Sequence, residues 1–474
     1  MPESIVEQLD HIFKPKSVAF IGASNDQRKW GYRQILSAQR NGFPGPIYPV
    51  NRHEEQVIGI PAYRSLLDIP GEVDMALITV PAPQVPQVLN ECGDKGIRGA
   101  VIISSGFSEI GTEEGRRLQV EIVRVARQRG IRFVGPNCMG ISSPAGRFST
   151  AGGLDMRETG GIAFISQSGT MGNYLAAKAR DRGFGLGLFV SSGNQADLGF
   201  ADYLEYLAED DSTKAIVLYM EGMSEGRRFF EVARQVLRHK PIAIYKAGRT
   251  AEGRKAVSSH TASLSGPDEV FDAICKQIGI LRGHEVLHPF EMTQALATQP
   301  LPQGNRIGVL MTGGGQCVTV ADACGQLGLI LPELDAETQA TLKQQFAPHV
   351  PPPRNPIDLA GSPPGLDIRI LQTLASLDYI DGIILSAPSS IGMARGNVVE
   401  AARSSINWAE AVIDVSRKQD KPVIFFAMPP FANAGVGIEL LRAAQVPIYE
   451  TPEECARAMS ALVRYAETRR RLNA

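Results

Sequence analysis

This chain of 474 residues is poor in the features that mark several large classes of protein. Its formal net charge is only -2, and both signs are spread along the chain. A nucleic-acid-binding protein needs a basic face, so that class is disfavoured. No run approaches the roughly 18 apolar residues that a membrane-spanning helix needs. The N-terminus, MPESIVEQLDHIFKPK, lacks the apolar core of a secretory signal. We therefore expect a soluble, cytoplasmic protein with no nucleic-acid or membrane partner.

Cysteine and histidine are scarce as well. The six cysteines are scattered, no C-x-x-C pair occurs, and none stands with histidine in a metal-binding pattern. Free buried thiols in a reducing compartment are the simplest interpretation. The sequence therefore predicts no metal site.

Short apolar segments alternate with helical patterns along the chain. They include SVAFIG, MALITV and GAVIIS, then GIAFIS, AIVLYM and PIAIYK, and finally GVLMT, DGIILSA and PVIFFAM. Near-continuous apolar strands separated by helices are typical of parallel sheets that are covered on both faces. The length suits about three domains. The sequence predicts an α/β protein of three doubly wound domains, at residues 1–145, 155–298 and 304–474.

The loops that follow the strands of the first domain are candidate ligand contacts. The first strand runs into GASNDQRKWG, where glycine would let a phosphate approach a helix N-terminus. The second strand ends at Asn51 and Arg52, where an NAD-binding domain would place an acid. The spacing is not G-x-G-x-x-G either, which disfavours NAD and favours another phosphate-bearing nucleotide. A simple tight turn is the alternative interpretation.

Three further loops of this domain, VPAP, SSGFSEIG and GPNCMG, are expected to line the same crevice, because ligands of open α/β sheets bind beyond the carboxyl ends of the strands. Cys138 lies in the last of them. No histidine is near it in the sequence, so a small residue in a tight turn is a simpler interpretation than a thiol nucleophile.

The second domain offers a second set of strand ends. GIAFISQSGTMG turns from strand to helix with more hydroxyl groups and glycines than a helix cap needs, which suits a phosphate. The next strand ends at Gly193 and Asn194. Glu221 ends the apolar strand AIVLYM, and in a parallel sheet its neighbours should be the SQSG and KAGR loops. A solvated acid at a sheet edge is the alternative for Glu221.

A long polar segment, YKAGRTAEGRKAVSSHTASLSG, follows the strand PIAIYK and contains His260. Long ordered polar loops usually serve a function. Gly248 and Gly253 would let such a loop move, and its basic side chains would offset phosphate charge. A solvated, idle histidine is the alternative.

Taken in order, these segments resemble the α subunit of NDP-forming acyl-CoA synthetases. The matching segments are GAS, YPVN, VPA, SSGF, GPNC, ISQSGT, SSGN, YMEG, KAGRT and SSHT. The ADP-forming acetyl-CoA synthetases are the more similar branch, and succinyl-CoA synthetase is more distant. The likeness covers nearly the whole chain, including TGGG at 312–315 and NPIDLAG at 355–361. It implies a Rossmann-like CoA-binding domain followed by two flavodoxin-like domains.

The resemblance also implies roles for residues. His260 would carry a phosphoryl group, with Glu221 as its carboxylate partner, and Gly193 and Asn194 would shape the acyl site. The phosphate would be held by Gln167, Ser168, Gly169 and Thr170. Coenzyme A would contact the first domain at Gly22, Ala23, Ser24, Lys29, Asn51, Val80, Pro81, Ser105, Gly106, Phe107, Asn137 and Cys138.

The resemblance further implies a partner, because the chain has no room for an ATP-grasp domain. That domain, with ATP or GTP and Mg²⁺, would lie on a β subunit in an αβ or α2β2 complex. The enzyme would then make acyl-CoA reversibly from a small carboxylate, CoA and ATP, through phosphohistidine and acyl phosphate. A CoA-responsive regulatory module without turnover is the alternative, and a nicotinamide dehydrogenase is a weaker one.

Overall fold

The computed structural model describes residues 3–151, 160–260, 267–347, 352–359, 366–386, 398–418, 420–428 and 435–474, without the side chains of 258–260 and 398–401. The chain forms two compact units, Met1–Pro289 and Phe290–Ala474. Within the described residues, no helix has both the length and the apolar character needed to cross a membrane.

The first unit opens with a parallel five-stranded sheet. Its elements are α1 (Ile5–Phe13), β1 (Val18–Ile21), α2 (Trp30–Arg40), β2 (Ile47–Val50), β3 (Gln56–Val57), β4 (Ile60–Pro61), β5 (Met75–Ile78), α3 (Val85–Lys95), β6 (Gly99–Ile102), α4 (Glu113–Arg129) and β7 (Arg132–Val134). The strand order is β2-β1-β5-β6-β7, and β3 and β4 pair separately. Every residue of β1, β5 and β6 is buried, as expected for a sheet covered on both faces.

A seven-stranded sheet completes this unit. Its elements are β8 (Gly140–Ser143), β9 (Phe148–Ser149), β10 (Ile162–Ser166), α5 (Gly169–Asp181), β11 (Leu186–Ser191), α6 (Phe200–Glu209), β12 (Ala215–Met220), α7 (Gly226–Val236), β13 (Ile242–Lys246), α8 (Ala251–His260), α9 (Asp268–Ile278) and β14 (Leu281–Gly283). The order is β14-β13-β12-β10-β11-β8-β9. The strands β10 to β14 are parallel, whereas β8 pairs antiparallel with β11.

The second unit contains another parallel sheet, in the order β16-β15-β17-β18-β19. Its elements are α10 (His288–Thr298), β15 (Ile307–Met311), α11 (Gly314–Gln326), α12 (Ala336–Lys343), β16 (Ile357–Asp358), α13 (Leu366–Ser376), β17 (Gly382–Ser386), α14 (Val398–Lys418), β18 (Val423–Phe426), α15 (Val436–Ala443), β19 (Ile448–Tyr449) and α16 (Pro452–Asn473). Trp408 on α14 packs on Phe425 of β18 in its core, with ring centroids 4.9 Å apart. The predicted α/β class is confirmed in both units.

Local sequence sets the ends of the helices. Before α4, the Thr112 hydroxyl accepts a hydrogen bond from the Gly115 amide at 3.1 Å, and two glutamates follow in the first turn. After α4, Gly130 adopts φ of +67°, a conformation that glycine tolerates best. The loop after β6 is thereby joined to a well-capped helix, which holds that loop in place.

Candidate active site

The first loop of the five-stranded sheet packs closely on the start of α2. Gly22 has φ of +89°, and a Cβ atom on Gly31 would overlap the Gly22 carbonyl oxygen. Lys29 precedes α2 and makes no side-chain capping bond. Because the sheet order reverses between β1 and β5, this helix N-terminus points into the place where such sheets bind phosphate-bearing ligands.

Two of the predicted ligand contacts shape this loop. The Asn51 amide nitrogen donates to the Ala23 carbonyl at 2.6 Å, and its amide oxygen accepts from the backbone nitrogens of His53 and Glu54. The Ser24 hydroxyl is buried and accepts a hydrogen bond from the Asp26 amide at 3.1 Å. Asn51 therefore ties the loops after β1 and β2 together, and Ser24 stabilises the first of these loops, which pre-organises the crevice.

Cys138 is buried beneath the same crevice. Its thiol donates to the Ile102 carbonyl at 3.3 Å, and burial raises its pKa to about 12. A nucleophilic cysteine needs a lowered pKa and access to its target. The simpler interpretation, a small residue in a turn, fits this environment, so any contact of Cys138 with a ligand would involve its backbone.

The loop after β11 packs directly on the loop after β7. Gly193 has φ of +55°, and a Cβ atom on it would overlap the Pro136 carbonyl oxygen. The Asn194 amide donates to that same carbonyl at 2.9 Å, and the Ala196 amide donates to the Gly135 carbonyl at 3.1 Å. The predicted acyl-site loop and a predicted CoA loop therefore share one edge of the first unit.

The strand order confirms the expected neighbours of Glu221. It follows β12, which lies between β10 and β13, so its loop is flanked by the Gln167 loop and by Ala247. Its side chain is buried, with 7% of its surface exposed. Burial raises the pKa of Tyr219 below it, and the nearby Glu221 carboxylate adds to this rise. Glu221 is thus a buried acid among the loops that follow the parallel strands of the seven-stranded sheet. It is not an acid exposed to solvent at the edge of the sheet.

Gln167 joins three strand ends. Its amide oxygen accepts from the backbone nitrogens of Glu221 and Gly222, at 2.6 and 3.0 Å. Its amide nitrogen donates to the Gln195 amide oxygen at 3.1 Å. The Gln167 side chain thus holds the Glu221 backbone, and the predicted phosphate contact of Gln167 stays a prediction.

The start of α5 lies beside this network. Ser168 caps the helix, with its hydroxyl accepting from the Met171 amide at 3.5 Å, and the first turn contains no acidic residue. A Cβ atom on Gly169 would overlap the Met139 side chain, so glycine is needed there. Thr170 is exposed. The positive end of the α5 dipole is therefore not offset by a nearby carboxylate of its own first turn.

The segment that leads to His260 is helical, which corrects the prediction of a continuous loop. The Thr250 hydroxyl accepts from the Gly253 amide at 3.0 Å and starts α8, which ends at His260. Alanine, glutamate and lysine in TAEGRKAV favour helix over loop. The His260 side chain and residues 261–266 lie outside the described residues.

The basic residues of this segment anchor it. The Arg249 guanidinium donates to the His284 carbonyl at 3.1 Å and lies 3.7 Å from the Asp268 carboxylate. The Arg254 guanidinium donates to the Arg249 carbonyl at 2.9 Å. Gly248, with φ of +71°, connects β13 to this anchored turn. Arg249 and Arg254 therefore hold the base of α8, and their expected role of offsetting phosphate charge stays a prediction.

Sequence reasoning missed two polar residues at the loop edge. Gln195 bonds Gln167 and has φ of +53°, and Glu109 accepts hydrogen bonds from loops of both sheets. Both lie in segments that were already singled out as strand ends. Polar side chains in the loops that follow buried strands were therefore the available signal.

Comparisons with known proteins agree with this arrangement. A CoA binding domain model matches residues 16–144, and a succinyl-CoA ligase like flavodoxin domain model matches residues 159–296. The chain is 39% identical to the acetate–CoA ligase [ADP-forming] II subunit alpha of Pyrococcus furiosus, over 97% of this chain and 98% of that one.

Two further relatives extend the comparison. The acetate–CoA ligase [ADP-forming] I of Archaeoglobus fulgidus is 36% identical over 97% of this chain, but over only 64% of its own length. A solved structure of the dinucleotide forming acetyl-coenzyme A synthetase 1 of Ca. Korarchaeum cryptofilum, in complex with phosphate and ADP, superimposes with a TM-score of 0.86 at 32% identity, covering 98% of both chains. The chain belongs to the family of α subunits of ADP-forming acyl-CoA synthetases.

Proposed function

We propose that His260 carries a phosphoryl group from a nucleotide to a small carboxylate, which the protein then converts to its CoA thioester. The observation that carries the proposal is the strand order of the seven-stranded sheet. It sets the start of α5, the buried Glu221 and the strand that leads into α8 side by side. A phosphate-binding helix end, a buried acid and a histidine-bearing helix are the parts that a phosphohistidine site needs.

The chemistry follows from the imidazole. Its unperturbed pKa of about 6.5 leaves it largely neutral and nucleophilic at neutral pH. One ring nitrogen would attack the γ-phosphorus of ATP, forming the N–P bond while the P–O bond to ADP breaks. Glu221 would accept the other ring N–H and set the tautomer. The positive end of the α5 dipole, which no acidic residue of its first turn offsets, would stabilise the phosphoryl oxygens.

The carboxylate would next take the phosphoryl group as an acyl phosphate and leave His260 free. Gly193 and Asn194 lie where the two loop edges meet, which supports their placement near the acyl group. The Gly22 loop fits the pyrophosphate of CoA, because glycine at residues 22 and 31 allows the backbone to approach closely. The substrate class proposed is a small carboxylic acid such as acetate.

A partner subunit completes this proposal. The Archaeoglobus fulgidus relative carries further sequence in the same chain, and the Pyrococcus furiosus relative is called an alpha subunit. We infer that an ATP-grasp β subunit binds the nucleotide with Mg²⁺ and pairs with this chain as αβ or α2β2. Membership of a ligase family disfavours the alternative of a CoA-responsive module without turnover.

The test is transfer of label from γ-³²P-ATP to the chain in the presence of its ATP-grasp partner. The native chain should acquire label that is lost in acid and stable in alkali, as a phosphorylated imidazole is. His260→Ala should acquire none, whereas the exposed His284→Ala, a matched control in the same unit, should label normally. Label retained by His260→Ala would remove this residue from the mechanism. CoA binding without any labelling of the native chain would favour the regulatory alternative.

A further inference from the structure

Glu109 lies where loops of the two sheets of the first unit meet. It belongs to a single 3-10 turn, Ser108–Ile110, that follows β6. One carboxylate oxygen accepts from the backbone nitrogens of Gly106 and Phe107, at 2.6 and 3.1 Å. The other accepts from the side-chain nitrogen of Asn194 at 2.6 Å. The carboxylate thus links a predicted CoA loop to the predicted acyl-site loop.

Asn194 makes further bonds to α4 and to the loop after β7. Its side-chain nitrogen also donates to the Gln119 amide oxygen at 2.9 Å, and its amide oxygen accepts from the Asn137 side chain at 3.2 Å. Its neighbour Gln195 bonds Gln167, which holds the Glu221 backbone. Hydrogen bonds, together with the peptide link between Asn194 and Gln195, therefore connect the loop after β6 to the loop after β12.

The contact exceeds what a local turn requires. A carboxylate that only capped its own turn would use the Gly106 and Phe107 amides, which are three and two residues away. The bond to Asn194 joins residues that are 85 positions apart in the chain. A hydrogen bond to an ionised carboxylate is roughly twice as strong as a neutral one. Glu109 and Asn194 are half-buried and lie at the open edge of both sheets.

We propose that Glu109 and Asn194 are positioning residues for thioester formation. This inference rests on the proposed function. In that step the CoA sulfur attacks the carbonyl carbon of the acyl phosphate, the C–S bond forms, and the C–O bond to phosphate breaks. Inorganic phosphate leaves with the electron pair, and the thiol proton passes to phosphate or water. The pair holds the loop of residues 104–107 against the loop of residues 192–196, and so sets the distance between sulfur and carbonyl.

The phosphorylation of His260 is connected to this pair indirectly, through Gln195 and Gln167. It depends on the strand ends of β10, β12 and β13, to which Glu109 makes no direct bond in the described structure. A displacement of reacting groups by about 1 Å can cost about 100-fold in rate. Loss of the Glu109–Asn194 bond should therefore slow the thioester step selectively.

The experiment measures the two half-reactions separately in Glu109→Ala, Asn194→Ala and the double variant. One assay follows thioester formation from acetyl phosphate and CoA, and the other follows labelling of the chain by γ-³²P-ATP with the ATP-grasp partner. We expect thioester formation to fall about 30- to 100-fold in each single variant, through kcat rather than the KM for CoA. Labelling should stay within about 2-fold, and the double variant should be no slower than the worse single one.

Two further variants serve as a conservative substitution and as a matched control. Glu109→Gln retains an oxygen that can accept from Asn194 and should restore about a third or more of the lost rate if position is what matters. Glu113→Gln, four residues away in an exposed ion pair with Arg116, is the matched control and should change neither assay. Thermal unfolding of each variant shows whether the chain still folds, and Glu109→Gln replaces the alanine variant if it does not.

The outcomes are separable. Equal loss in both assays would assign the pair a purely structural role and overturn the inference, as would unchanged thioester formation. Additive losses in the double variant would show that the two residues act independently and would also overturn it. If the native chain formed thioester from acetyl phosphate but was never labelled by ATP, the proposed role of His260 would be wrong. The effect of Glu109 and Asn194 on thioester formation could still be measured.

Discussion

The two loop edges of the first unit are built in different ways. The edge of the five-stranded sheet is shaped by backbone, because Gly22 and Gly31 allow α2 to approach the end of β1. The edge of the seven-stranded sheet is shaped by side-chain amides, with Gln167 holding the Glu221 backbone and Gln195. Backbone amides suit a constant phosphate group, whereas side chains can place an acid and a histidine for chemistry. We therefore expect a change at glycine to disrupt the first edge and a change at a side-chain amide to disrupt the second.

The largest effect should come from breaking the backbone-built edge. In Gly31→Ala the new methyl group overlaps the Gly22 carbonyl, so the loop or the helix start must shift. The loss of one or more amide bonds to phosphate should weaken CoA binding by about 10- to 100-fold. Titration calorimetry with CoA measures this.

The control for that variant is Gly325→Ala in α11, where an added Cβ meets no atom within 4 Å. It should leave CoA binding unchanged and stabilise the helix by about 0.5 to 1 kcal/mol. Equal CoA affinity in Gly31→Ala and the native chain would contradict a backbone-built phosphate site.

A smaller effect should come from breaking the side-chain-built edge. Gln167→Ala removes the acceptor of the Glu221 and Gly222 amides, so Glu221 loses its fixed position. We expect labelling of His260 by ATP to slow about 10-fold, with CoA affinity unchanged. Rapid-quench labelling measures the rate of phosphorylation, and calorimetry measures the affinity for CoA.

Gln167→Glu sharpens the same prediction, because its carboxylate still accepts from both amides and should recover part of the rate. If Gln167→Ala and Gln167→Glu were equally slow, direct contact with phosphate would explain Gln167 better than support of Glu221. If CoA affinity fell as well, the two edges would not be independent.

The smallest expected effect concerns the reactivity of two thiols, Cys138 in the loop after β7 and Cys317 on α11. Burial raises the pKa of Cys138 to about 12 and that of the half-buried Cys317 to about 11. A raised pKa keeps each thiol protonated at pH 8, so iodoacetamide should react slowly with both in the native chain. As pH rises, Cys317 should react first. Peptide mass analysis, with the urea-unfolded chain as control, measures this, and fast alkylation of native Cys138 at pH 8 would contradict it.

The pairing of strand ends was predictable, whereas the contacts between loops were not. Buried runs such as AIVLYM mark parallel strands, and parallel strands bring their carboxyl ends together, which is why the neighbours of Glu221 could be deduced. The bond between Glu109 and Asn194 depends on how two sheets pack, which no local pattern encodes. The helix α8 was missed because serine and glycine around His260 masked good helix formers between Ala251 and Ala256.

The boundary between the first two predicted domains shows the same limit. Residues 140–143 were assigned to the first domain, yet they form β8, which pairs with β11 of the second sheet. The domain limits drawn from composition remain predictions. A turn-rich segment indicates where the chain changes direction, but it does not indicate which sheet the next strand joins.

The antiparallel pairing of β8 with β11 limits where the chain can be cut to prepare a shorter fragment. The strand β11 has six residues, five of them buried, and β8 and β9 close its outer side. A fragment that began at residue 155 would expose the unpaired amide and carbonyl groups of β11 along a long apolar border, which is a template for aggregation. The minimal histidine-bearing fragment must therefore start before Gly140, so that it retains its own border strands.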